Sequence, residues 1–112
     1  MTAHALSEAD RALVDRLLGE MTLDEQIGQM TQAEKNSVRP GDVTRLALGS
    51  VLSGGGNLEP NTPGAWRAMV TAFQREALSS RLGIPLLYGV DAVHAHPGHH
   101  SRTEPLAAPP SC

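Results

Sequence analysis

Apolar positions near the start of the chain recur at helical spacing. Leu13, Leu17 and Met21 fall four apart on one face, with Val14 and Leu18 beside them. Ser7 precedes this run and Asp10 stands three residues on, so a hydroxyl and a carboxylate meet the free amides of a first turn. The pattern predicts a helix from about Glu8 to Glu20. Thr22-Leu23-Asp24-Glu25 has the form of a capping box, in which hydroxyl and carboxylate each accept from the other residue's amide. A short second helix through Ile27 and Met30 follows from it. Residues 36–42 hold Pro40 and Gly41 and read as a loop.

Beyond the loop the apolar residues become continuous. Residues 48–56 form a short apolar run that stops in Gly54, Gly55 and Gly56, the pattern of a buried strand feeding a loop. Thr62-Pro63 places a cap and a first-turn proline at a helix start. Trp66, Met69, Val70, Phe73 and Ala77 make one stripe down that helix. Residues 83–91 are a second run of the buried-strand type. Strand, helix and strand with near-continuous apolar strands predict a βαβ unit with a parallel pair, hence an α/β fold. Two parallel strands and one crossover helix cover neither both faces nor both edges of a sheet, so the unit reads as part of a larger one. From Pro97 the texture changes: four of the eight prolines fall in residues 97–112, with little that is apolar, and a disordered tail is expected there. No internal repeat is visible.

Composition narrows the classes. A chain of 112 residues, 40% hydrophobic and 19% charged, suits one small globular domain. Aromatic residues make up only 3%, namely Trp66, Phe73 and Tyr88, so the core must rest on aliphatic side chains and Met. The formal net charge of −3 and the single lysine, Lys35, leave no basic patch for nucleic acid. Cys112 is the one cysteine, so no disulfide can close within the chain. The first residues lack a basic start followed by an apolar run, the mark of a signal peptide, and a cytoplasmic location is expected. A misassigned start site would instead leave an extracellular or periplasmic location open. No apolar stretch approaches the roughly 18 residues that span a bilayer, so no membrane partner is expected.

Three blocks of the chain are similar to the opening of glycoside hydrolase family 3, the β-glucosidase and exo-glucanase group. Residues 17–32, from Leu17-Leu18-Gly19-Glu20-Met21 to Gln29-Met30-Thr31-Gln32, resemble the family's leading helical segment. Gly49-Ser50-Val51-Leu52-Ser53-Gly54-Gly55-Gly56 resembles its first barrel strand and loop. Arg81-Leu82-Gly83-Ile84-Pro85-Leu86-Leu87-Tyr88-Gly89-Val90-Asp91-Ala92-Val93-His94 resembles its second. Order and spacing agree, and the resemblance runs from about Asp10 to His94; any one block alone, such as the triple glycine, is weak.

The resemblance implies a retaining glycosidase acting on a β-glucoside or oligosaccharide, with no cofactor, on a barrel of the (β/α)8 kind. It implies that residues 1–96 are a partial barrel domain, holding about two of eight strands with N-terminal helices, ahead of the disordered tail at 97–112. Asp91 matches the family aspartate that holds hydroxyls of the sugar being cleaved; the alternative is an ordinary strand-end cap. Gly54, Gly55, Tyr88 and His94 are placed along the mouth by the same match. Retention requires two carboxyl groups about 5–5.5 Å apart. The family's nucleophile lies far downstream and its acid/base in a later domain, so no catalytic residue is assigned here and the chain alone is expected to be inactive. A full barrel takes roughly 250 residues, so the isolated chain is expected to be poorly stable. After His94 the resemblance stops abruptly at Ala95-His96-Pro97-Gly98-His99-His100. Such a switch is similar to a reading-frame shift or a truncated gene model.

Competing chemistries rest on thinner signals. His94, His96, His99, His100 and Cys112 carry zinc-type ligand atoms, and His94-x-His96 after a strand is similar to the two-histidine motif of metal-dependent amidohydrolase barrels. Those sites draw further ligands from later strands, and no paired cysteines or capped helix fix a geometry here, so no metal is assigned. Ser53-Gly54-Gly55-Gly56 could cradle phosphate only if a helix followed at once. Instead Asn57-Leu58-Glu59-Pro60 intervenes and no Walker-type lysine appears. The amphipathic stretches 8–21 and 62–79 fit a non-enzymatic interaction fragment, although such stripes commonly face a core. Trp66, on its helical stripe, reads as core rather than as a platform for sugar stacking.

Overall fold

The structure is a computed structural model and describes residues 5–54, 58 and 60–91. The chain opens with α1, Glu8–Glu20, and α2, Leu23–Gln29. Both start where the caps require. Ser7 Oγ accepts from the Asp10 amide at 3.1 Å. The Thr22 hydroxyl accepts from the Glu25 amide at 3.2 Å, and the Glu25 carboxylate accepts from the Thr22 amide at 3.0 Å. Then come β1, Gln32–Glu34, a 3-10 turn over Lys35–Ser37, and α3, Asp42–Leu46. The chain continues with β2, Ser50–Ser53, α4, Pro63–Leu78, and β3, Leu87–Val90. Thr62 Oγ1 caps α4 through the Ala65 amide at 3.2 Å, with Pro63 in the first turn.

The strands form one parallel sheet in the order β1-β2-β3, so sequence neighbours are spatial neighbours, as in a barrel wall. The sequence reading of two strands is corrected to three among the described residues. The missed one, Gln-Ala-Glu, is only three residues long and offers no apolar run to detect. The expected loop also shrinks, because a 3-10 turn begins at Lys35 and α3 starts at Asp42. Leu48 proves to be a core residue of the turn ahead of β2 rather than part of the strand.

Register fixes which residues share a face. Gln32, Ser50 and Leu87 form one row across the sheet; Ala33, Val51 and Tyr88 form the next; Glu34, Leu52 and Gly89 form the third. Alternate rows point to opposite faces. The Val51 row faces α3 and α4, where Val43, Leu48, Ala77 and Leu86 are buried with it and Phe73 packs alongside. Val43 and Val51 are fully buried, worth about 1.5–3 kcal/mol each in removed apolar surface. Side chains pin the helices to this layer. Gln74 Nε2 donates to the Leu86 carbonyl at 3.1 Å while its Oε1 accepts from the Leu86 amide at 2.6 Å. Thr44 Oγ1 donates to the Glu76 carbonyl at 2.7 Å.

The two amphipathic helices differ. α4 buries Trp66 and Ala77, and the Trp66 indole N–H donates to Asn61 Oδ1 at 2.9 Å, which makes it a packed core residue. α1 buries none of its residues, and Leu13, Val14 and Leu18 stay exposed. Its stripe borders a groove of about 380 Å³ shared with α2 and Ile84.

Candidate active site at the carboxyl ends of the strands

The third row points away from the helix layer, and its face leads to the carboxyl ends of all three strands. Two glycines keep it low. A Cβ built on Gly89 would lie 3.3 Å from Leu52 Cδ1, and one on Gly54 would lie 3.7 Å from Glu34 Cγ. Asp91 lies two residues beyond Gly89, so its side chain belongs to this same face. The Asp91 amide donates to the Ser53 carbonyl at 2.9 Å, which continues the parallel pairing one step past β3. Asp91 is exposed, and its carboxylate has no partner among the described residues. The geometry is an exposed carboxylate at the end of a strand whose neighbours run the same way.

Glu34 stands on that face too, and the sequence reading did not single it out. The polar-apolar-polar alternation of Gln32, Ala33 and Glu34 was the available signal. Its carboxylate is engaged, accepting from the Asn36 amide at 2.7 Å and from Asn36 Nδ2 at 3.3 Å, so it caps the 3-10 turn and shapes the rim. Asn36 Oδ1 in turn accepts from Nζ of the buried Lys35 at 3.1 Å.

Tyr88 belongs to the other face. Its ring lies against Phe73, with centroids 6.2 Å apart and planes 27° from parallel. Its hydroxyl hydrogen-bonds Ser53 Oγ, a fully buried group. Burial pushes the Tyr88 phenol above its ordinary range, the Ser53 bond opposes this, and the charge of Glu34 adds to it. Tyr88 thus braces β3 against β2 on the helix-facing side of the sheet. Gly54 directly follows β2, at the carboxyl end of that strand; Gly55 and His94 lie outside the described residues. So do His96, His99, His100 and Cys112, and no group of three or more metal-ligating side chains occurs among the described residues. No helix among them is long and apolar enough to cross a membrane.

The family model for the glycosyl hydrolase family 3 N-terminal domain matches residues 22–110, from the capping box of α2 onward. The chain belongs to glycoside hydrolase family 3. A solved structure similar to this family 3 chain is the exo-1,3/1,4-beta-glucanase ExoP from a Pseudoalteromonas species. It superposes with a TM-score of 0.72 at 26% sequence identity over 82% of this chain. A point mutant of the same glucanase gives the same TM-score, identity and coverage. The chain spans only 12% and 16% of the lengths of those two structures. No curated protein sequence matches it. The three-stranded parallel sheet with its helical layer accords with the family's barrel domain.

Proposed function

We propose that this polypeptide supplies the opening strands of the barrel in a retaining glycosidase that cleaves terminal β-D-glucosidic bonds, with Asp91 holding hydroxyls of the sugar. One observation carries the reading: an exposed carboxylate at the end of β3, on the open sheet face beside Gly54. Active sites of parallel barrels lie at this end of the strands. Two carboxylate oxygens can accept from two neighbouring sugar hydroxyls at once, and charge makes each bond stronger than a neutral one. The β-glucanase activity in the name of the similar ExoP supports a β-glucoside or oligosaccharide as substrate of the full-length parent.

In this reading the nucleophile and the acid/base, about 5–5.5 Å apart, come from outside these 112 residues. Asp91 orients the sugar for them and performs no bond-making step. The polypeptide alone therefore gives no turnover of an aryl β-glucoside above buffer; rates far above buffer would refute the incomplete-site reading. Replacing the matching segment of a working family 3 glucanase by residues 22–91 tests Asp91 itself. The hybrid is expected to hydrolyse the glucoside, and Asp91→Asn in it to lose about 10- to 100-fold in kcat/KM, the worth of a charge-assisted hydrogen bond. An Asp91→Asn hybrid as active as its parent sinks the sugar-binding role.

A further inference from the structure

We draw no further inference here: the strongest candidate, the apolar groove between α1 and α2 lined by Val14, Leu17, Leu18, Met21, Met30 and Ile84, carries nothing because nothing in the structure shows what covers it.

Discussion

The Gly49 amide donates to the Gly28 carbonyl at 2.9 Å, so the backbone of α2 touches the backbone entering β2 with no side chain between. Gln29 Nε2 closes the same contact on the Ala47 carbonyl at 2.9 Å. Ala47 takes the left-handed conformation, φ 49°, to make the turn. A Cβ on Gly28 would lie 2.7 Å from the Ala47 carbonyl oxygen, and one on Gly49 would lie 2.8 Å from the Gln29 carbonyl carbon. Both neighbours are backbone and cannot rotate away. Gly28→Ala and Gly49→Ala should each cost about 1–3 kcal/mol, the range for overpacking. Gly19→Ala is the contrast: a Cβ there meets nothing within 4 Å inside α1, and the change should stabilise by about 0.5–1 kcal/mol. Urea titration followed by circular dichroism orders the three variants, and equal effects would contradict the packing.

Arg81 ties the lead-in of β3 to both N-terminal helices. Its guanidinium donates to both Glu25 carboxylate oxygens and, at 2.6 Å, to the Glu20 carbonyl. The Arg81 bond, helped by the Thr22 amide, lowers the Glu25 pKa from 4.5 to about 2. A depressed folded-state pKa gives stability that is present above the unfolded value and lost as pH falls through the folded one. The contribution is therefore full above about pH 4.5 and disappears toward pH 2. Glu25→Gln keeps a capping side chain but removes the charge, so it should flatten this acid limb while leaving α2 helical. A carboxyl carbon titration by NMR reads the midpoint directly; a Glu25 midpoint near 4.5 would count against the clamp.

Helices with chemical punctuation were legible in the sequence. Ser7, Thr22 and Thr62 each accept the amide three residues on, and those local bonds need no tertiary context. β2 and β3 showed themselves through short apolar runs, Val51-Leu52 and Leu86-Leu87-Tyr88, of which Val51, Leu86 and Tyr88 pack with the helix layer. β1 did not, since two of its three side chains, Gln32 and Glu34, are polar and occupy the open face. Asp91 could be placed at a strand end from sequence. The side on which Tyr88 falls could not, because apolar residues run on both sides of it and only the pairing with Val51 fixes its direction.

Ser53 and Tyr88 give a test of that layer. Among the described residues, removing the Ser53 hydroxyl leaves the phenol oxygen a distant contact with Met69 Sδ at 4.0 Å. Since the Ser53 bond lowers the Tyr88 pKa against the effect of burial, Ser53→Ala should raise it further. It should also cost about 0.5–1.5 kcal/mol, the net worth of one hydrogen bond to a half-buried phenol. Phenolate absorbance during an alkaline titration measures the shift; a fall in the midpoint would mean that Tyr88 had swung out to solvent.

The open face governs how the isolated polypeptide behaves. Leu87 is 74% exposed on β3, Met30 is 81% exposed after α2, and α1 presents Leu13, Val14 and Leu18 to water. Among the described residues the parallel sheet has an uncovered face and β3 at its edge, which together offer a template for other chains. The purified 112-residue product should therefore self-associate and unfold over a broad range. Leu87→Lys should reduce association without loss of helical signal, because that side chain contributes little to the core and a charge blocks edge pairing. Sedimentation velocity and a thermal melt decide this together. A monomer with one sharp cooperative transition would mean that these strands close their own core, and the family barrel would then not be needed to complete them.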